Sequence, residues 1–117
     1  MLSLPASVRV FVCTRATDMR RGFDGLAALV REHFGADPLG GHLFVFRNRP
    51  ADRLKILYWD RDGFALWYKR LEKGSFRFPE VDAAGIEISA SDLPMLLEGV
   101  DPTTVRRAER FRLPAPA

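Results

Sequence analysis

The chain has 117 residues, of which 47% are hydrophobic and 28% are charged, and Cys13 is its single cysteine. These totals are typical of one globular domain with its own hydrophobic core, and they exclude an internal disulfide and a cysteine-based zinc site. The sequence has neither an apolar run near the roughly 18 residues that cross a bilayer nor the N-terminal pattern of a secretory signal, so we expect a cytoplasmic protein without membrane contact.

The net charge of +3 is unevenly distributed along the sequence. Residues 41–80 contain nine Lys and Arg against five Asp and Glu, a net charge of +4, whereas residues 81–117 contain four against six, a net charge of −2. Basic patches attract polyanions such as nucleic acids. The middle of the chain is therefore the segment in which a site for such a partner is expected.

The first predicted elements are a strand and a helix. Val8–Cys13 has the apolar, β-branched composition of a short buried strand. Apolar residues then recur at helical spacing as far as Phe34, which predicts an amphipathic helix that Thr17 or Asp18 caps and Gly35 ends. The apolar stripe of this helix is expected to pack on a sheet.

The stretch from residue 41 to residue 79 alternates apolar and polar residues through three short runs separated by turn residues. This pattern predicts three strands, which cover His42–Arg47, Arg53–Trp59 and Phe64–Arg70. Because the connections are short, neighbouring strands are expected to pair antiparallel, since a parallel pair needs a long crossover. The stretch is therefore predicted to be an antiparallel β-meander.

The C-terminal part of the chain is predicted to add one strand at Ile86–Ser89 and a short helix at Asp92–Glu98, capped by Ser91. Residues 102–117 are basic and proline-flanked, and we expect them to form a mobile tail. The predicted fold class is α+β, with residues 1–101 forming a single domain. In this domain the main amphipathic helix packs on the apolar face of a curved antiparallel meander.

The two faces of the meander lead to a functional hypothesis. Alternation predicts that one side of each strand, including Tyr68, is apolar and buried, and that the other side presents Lys55, Trp59, Trp67 and Lys69. Lysines meet phosphates and indole rings offer stacking planes, so this combination is typical of a nucleic-acid-binding surface. The patch is extended by cations at turns and strand ends, namely Arg47, Arg49, Arg53, Arg61, Arg70 and Lys73. In the alternative interpretation, the tryptophans pack under the tail or against a second subunit and the cations are simply solvated.

A second group of cations lies at the predicted start of the helix. Arg20 and Arg21 would stand in the first turn, where the helix dipole is positive and cations are unfavourable. A bound phosphate or carboxylate would offset this penalty, because free N–H groups and guanidinium forks converge there. In the alternative interpretation, the arginines pair with Asp18 and Asp24. The sequence leaves both interpretations open.

Signals for catalysis are weak. His33 and His42 have no ligand spacing between them, and Asp60 and Asp62 lack the further oxygen ligands of a calcium loop. The sequence contains no glycine-rich phosphate loop, nucleophile elbow or HExxH motif. We therefore expect a protein without enzymatic activity, cofactor or metal, and keep a metal-dependent nuclease only as a third alternative.

Three segments carry a family resemblance. The segment TDMRRGFDGLAALV (Thr17–Val30), the whole meander from Gly41 to Pro79, and LPMLLEGVD (Leu93–Asp101) closely resemble the TnpB accessory proteins of the bacterial insertion sequence sixty-six family of transposable elements. The resemblance covers about residues 8–101. It implies a role in DNA transposition alongside a separate, larger transposase, and it brings no catalytic residues with it.

Two hypotheses follow from the residues and the resemblance together. In the first, the basic and aromatic face of the sheet, with Arg20 and Arg21, binds DNA at the transposon ends and assists the transposase. In the second, the protein is an adaptor that docks on the transposase, or on another copy of itself as a homo-oligomer, without direct DNA contact. Other proteins encoded by the element are expected partners in both.

Overall fold

The computed structural model describes residue 5 and residues 7–99. Its strands are β1 (Val10–Ala16), β2 (Leu43–Arg47), β3 (Arg53–Asp60), β4 (Gly63–Arg70) and β5 (Gly85–Ile88). Its helices are α1 (Phe23–Leu29), which continues as a π-helix over Val30–Phe34, and α2 (Leu93–Leu97), which follows a 3₁₀ turn at Ala90–Asp92. The predicted tail at residues 102–117 lies outside the described residues.

The described strands form one sheet in the order β4-β3-β2-β1-β5. β2, β3 and β4 pair antiparallel in succession, which confirms the predicted meander. β1 runs parallel to β2, and α1 lies in the connection between them, as a parallel pair requires. β5 pairs antiparallel with the other side of β1. The α+β class is confirmed, and the parallel pair is a feature that the strand pattern does not predict.

The α1 helix covers one face of the sheet with its apolar stripe. Leu26 and Val30 are fully buried there against Phe44, Phe46 and Leu57 from β2 and β3. Burying a large apolar side chain contributes about 1.5–3 kcal/mol, so this contact is a main source of stability. We call this side of the sheet the helix face.

The opposite face of the sheet is buried as well. After β4 the chain folds back and places Phe76, Leu93 and Leu96 in one cluster with Val45 and Ile56 of the sheet. We call this side the C-terminal face. The prediction that only one side of the meander is buried is therefore wrong, because the segment after β4 provides a second apolar cover.

The start of α1 differs from the prediction. The helix begins at Phe23 and is not capped by Thr17 or Asp18. The Thr17 N–H instead donates to Arg47 O at the end of β2 over 2.7 Å, so the chain is still bound to the sheet at this point. The helix ends as predicted at Gly35, which has a left-handed φ of 59°.

Gly85 of β5 lies close to the end of the helical segment. A Cβ atom at this position would overlap the Phe34 ring. Phe34 also contacts the rings of Phe11 and Phe44, with centroid distances of 5.8 Å in both cases. The absence of a side chain at Gly85 thus makes room for an aromatic cluster that joins the helix to the sheet.

The other boundaries lie within three residues of their predicted positions. The 3₁₀ turn and α2 replace the single C-terminal helix expected at Asp92–Glu98, and Asp92 rather than Ser91 precedes α2. Cys13 is buried in β1. Within the described part of the chain, no helix is long and apolar enough to span a bilayer.

Candidate nucleic-acid interface

The register of the β3–β4 hairpin determines which predicted site residues share a face. Lys55 lies opposite Tyr68, and both are on the helix face together with Trp59. Trp67 and Lys69 are opposite Ile56 and Leu54 and lie on the C-terminal face. The predicted grouping of the two lysines and two tryptophans on one surface is therefore wrong. The prediction placed β4 out of phase with β3 by one residue. An offset of one residue moves every side chain of β4 to the opposite face of the sheet.

Lys55 is a buried residue with only 6% of its surface exposed. Its Nζ donates to Met19 O over 2.7 Å and to Arg21 O over 2.9 Å. The same ammonium lies 4.7 Å from the centroid of the Tyr68 ring, within the range of a cation–π contact. Lys55 therefore holds the segment before α1 against β3, and its ammonium is not available to a phosphate.

The two tryptophans are half-buried on opposite faces of the sheet. Trp59 packs edge-on against Phe64 near the hairpin turn, with ring centroids 5.2 Å apart. Trp67 packs against the hydrophobic cluster of the C-terminal face. Both indoles thus have a packing role, and their contact with nucleic acid stays a prediction.

An exposed aromatic ring lies beside two arginines on the helix face at the edge strand. Tyr68 is 48% exposed, although alternation placed it on the buried side. Arg53 is opposite Arg70 in the hairpin and donates from Nη1 to Tyr68 Oη over 3.4 Å. The three residues line a common recess with Glu72. We call Arg53, Tyr68 and Arg70 the Tyr68 cluster.

The segment before α1 lies beside the Tyr68 cluster, because Lys55 contacts both. Arg21 is exposed on this segment and makes no ion pair with any described residue. Arg20 is also exposed, but its Nη2 lies 2.7 Å from Asp18 Oδ2. Of the two predicted arginines, Arg21 is therefore the freer one.

The pairing of Arg20 with Asp18 confirms one part of the alternative interpretation, whereas no ion pair of Arg20 or Arg21 with Asp24 is found among the described residues. The Arg20 side chain and its backbone N–H both donate to the carboxylate and lower the pKa of Asp18 to about 2. Both arginines precede α1, which begins at Phe23. Neither arginine therefore carries the helix-dipole penalty that a bound anion was predicted to offset.

A second basic surface lies on the C-terminal face. Lys69, Lys73 and Arg77 line one groove, and Glu98 is the acidic residue among its lining groups. All three cations are exposed and make no ion pair within the described part of the chain. We call these three residues the lysine groove. Arg77 belongs to it although the sequence analysis did not assign it to the site.

The remaining predicted cations have different environments. Arg47 is half-buried, and its Nη2 donates to Thr14 O of β1. Its guanidinium lies 5.5 Å from the centroid of the Phe78 ring. Arg47 therefore connects the end of β2 to β1 and to the segment after β4. Arg49 is exposed in the loop between β2 and β3. Arg61 lies in the hairpin turn at the other end of β3 and β4 from Arg53 and Arg70. It is therefore remote from both basic surfaces.

Two ion pairs affect the charge that these surfaces present. Arg70 Nη2 lies 2.8 Å from Glu72 Oε1, and this contact raises the pKa of Arg70 above its ordinary value. Both partners are solvent-exposed, as are Arg20 and Asp18. Water and salt screen such exposed pairs, so they are weak and a polyanion can compete with the carboxylates.

Metal ligands are not concentrated in this region. Among residues 5 and 7–99 there is no group of three or more His, Cys, Asp or Glu side chains arranged to hold a metal ion. The two basic surfaces instead bring together arginine, lysine and tyrosine side chains. Such groups bind phosphates and stack on bases.

The fold and these surfaces define a small α+β protein with two basic regions. The sequence profile of the family described as "IS66 Orf2 like protein" matches residues 8–107. Two curated proteins of Sinorhizobium fredii (strain NBRC 101917 / NGR234) are similar: uncharacterized protein y4jC is 41% identical over 107 residues, and uncharacterized protein y4hO is 44% identical over 101 residues. The aligned regions span 92% of both chains for y4jC, and 86% of this chain and 88% of the relative for y4hO. No solved structure matches the chain.

The chain belongs to the family of IS66 Orf2-like proteins, also described as TnpB of IS66. Proteins of this family are transposition-associated accessory proteins of IS66 insertion sequences. The family is associated with the transposase and with the element itself, which supports element-encoded partners.

Proposed function

We propose that this protein is a non-catalytic accessory factor in transposition that binds DNA at the transposon ends through the Tyr68 cluster and Arg21. The observation that carries the proposal is the half-exposed Tyr68 ring, which lines one recess with Arg53 and Arg70. Family membership supplies the process, and the cluster supplies the chemistry of a nucleic-acid contact. The contact needs no cofactor, and the expected place of action is the cytoplasm, where bacterial DNA is accessible.

The chemistry of the cluster suits a phosphate backbone with an accessible base. Arginine forks donate in pairs to phosphate oxygens, and an exposed tyrosine ring offers a plane on which any base can stack. The Lys55 ammonium is held near the ring by two backbone carbonyls, which fixes the position of Tyr68 relative to Arg21. The site is therefore partly preorganised before DNA binds.

Fluorescence anisotropy with labelled element-end DNA, single-stranded and duplex, tests the proposal. Tyr68→Ala is expected to weaken single-strand binding by about 1–3 kcal/mol, the usual range for loss of a stacking platform. Tyr68→Phe keeps the ring and is expected to retain most of the affinity. Circular dichroism of each variant establishes that the loss is not a loss of fold.

Arg61→Ala is the matched control for the cations. Its side chain is 94% exposed, and it follows Asp60 at the other end of β3, which is about 24 Å from Arg53 at 3.4 Å per residue. Affinity is expected to fall in Arg53→Ala and to stay unchanged in Arg61→Ala. Equal losses in the two variants would show that charge anywhere on the surface is enough, and would contradict a defined site.

A second candidate function is a protein adaptor that docks on the transposase. Phe23 is 48% exposed at the start of α1, and exposed aromatic residues often anchor protein interfaces. In this case Phe23→Ser should abolish co-purification with the transposase and leave DNA affinity unchanged. Retention of the transposase by this variant would remove the candidate as stated.

A further inference from the structure

The β4 strand is eight residues long and forms one edge of the sheet over the described residues. Long open edges expose unpaired backbone groups and are templates for pairing with another strand. The other edge, β5, has only four residues. The β4 edge is therefore the stronger candidate for strand addition.

The hydrogen-bonding pattern of the hairpin shows which backbone groups are open. Asp60 pairs with Gly63 across a two-residue turn, and Leu71 N donates to Asp52 O over 2.7 Å. In an antiparallel pair, hydrogen-bonded positions alternate with open ones. The backbone N–H and C=O groups of residues 64, 66, 68 and 70 therefore point away from β3, toward the edge.

We propose that a second copy of this chain pairs with this edge, β4 against β4, antiparallel about a twofold axis centred on Leu66. In this register the open groups of both protomers face each other. Tyr68 of one protomer lies opposite Phe64 of its partner, and Arg70, the last residue of β4, lies beside Asp62 in the hairpin turn of its partner. An isologous contact of this kind closes as a dimer and does not propagate.

Charge and size are both compatible with this register. On the C-terminal face, Trp67 lies opposite Ala65 and Lys69 opposite Gly63, so each of these two large side chains meets a small residue. Asp62 is exposed and makes no ion pair within the described part of the chain, which leaves its carboxylate for Arg70 of the partner.

Sedimentation equilibrium over a protein concentration series tests the dimer in the absence of DNA, so its outcome is independent of the proposed function. The wild-type chain should have twice the monomer mass at the upper concentrations. Arg70→Asp and Asp62→Arg should each be monomeric in the same range, because each places two like-charge pairs in the interface. Arg49→Asp, an exposed charge reversal in the β2–β3 loop, should remain dimeric.

An equimolar mixture of Arg70→Asp and Asp62→Arg gives the sharpest result. Both contacts become oppositely charged in the heterodimer, so the mixture should regain the dimer mass. The double variant Arg70→Asp/Asp62→Arg should dimerise with itself for the same reason. A monomeric wild type, single variants that remain dimeric, or a mixture that stays monomeric would each overturn the proposal.

Discussion

The ammonium group of Lys55 donates to the carbonyls of Met19 and Arg21 and lies over the Tyr68 ring. A lysine in a basic, aromatic strand has the chemistry of a phosphate ligand, which is the role that the sequence predicts for it. Its environment is that of a structural residue, because two carbonyl oxygens surround the charge. Long-range contacts of this kind cannot be deduced from strand alternation alone.

Lys55→Met is expected to lower the free energy of unfolding by about 2 kcal/mol or more. The variant removes two hydrogen bonds from a charged donor, and such bonds contribute about 1.5–3 kcal/mol each. Lys69→Met is the control, since an exposed substitution usually changes stability by less than about 0.5 kcal/mol. Urea denaturation of both variants measures the difference, and equal stabilities would contradict the role assigned to Lys55.

The carboxyl group of Asp18 should titrate with a midpoint of about 2, well below its ordinary value of 3.8. The folded state binds this proton less readily than the unfolded chain, so the pair with Arg20 stabilises the fold above the unfolded pKa and loses that contribution as the pH falls toward 2. Carboxyl NMR titration measures the midpoint directly. In Arg20→Ala it should return toward 3.8, and an unchanged midpoint would mean that Arg20 is not the cause.

At the scale of the elements, the β3–β4 hairpin decides where the candidate site lies. The three strands of the meander and their antiparallel pairing were predictable from alternation and short connections. The phase between β3 and β4 depends on the length of the turn: two residues between Asp60 and Gly63 put Lys55 opposite Tyr68. The Asp-Gly signal of a two-residue hairpin is present in the sequence, so applying it to the register would have placed Tyr68 beside Arg53.

Other parts of the site had no comparable signal. The start of α1 at Phe23 depends on the hydrogen bond from Thr17 N to Arg47 O, which joins distant parts of the chain. The Thr17 hydroxyl and the Asp18 carboxylate are good capping groups in isolation. Tertiary contacts override that local preference, so Arg20 and Arg21 lie outside the helix.

Gly85→Ala is expected to destabilise the protein by about 1–3 kcal/mol, because the added methyl group overlaps the Phe34 ring and overpacking of this size has such a cost. Gly63→Ala is the control, since no atom lies within 4 Å of a Cβ added there and its φ is not left-handed. Thermal unfolding of the two variants compares them. A Gly85→Ala protein as stable as Gly63→Ala would contradict the close approach of Phe34 to β5.

At the scale of the whole molecule, both faces of the sheet are covered, and its exposed arginine and lysine side chains lie at the edge strand, the strand ends and the turns. The helix stripe and the strands were predictable, whereas the cover on the C-terminal face was not. Residues 71–84 have no regular period, and Phe76 is buried by contacts with the β2–β3 loop and with the C-terminal face of the sheet. The Tyr68 cluster and the lysine groove lie on opposite faces of the sheet, although the sequence suggested one continuous patch.

The salt dependence of DNA affinity tests the central claim most directly. For the wild-type protein, the logarithm of the binding constant should fall linearly with the logarithm of the salt concentration, as expected when cations replace counterions on phosphates. In Arg21→Ala/Arg53→Ala the slope should be smaller by about 2, because each substitution leaves one phosphate without its arginine, and in Arg61→Ala it should not change. A wild-type affinity that is insensitive to salt, or an identical slope in the double variant, would contradict DNA binding at the Tyr68 cluster.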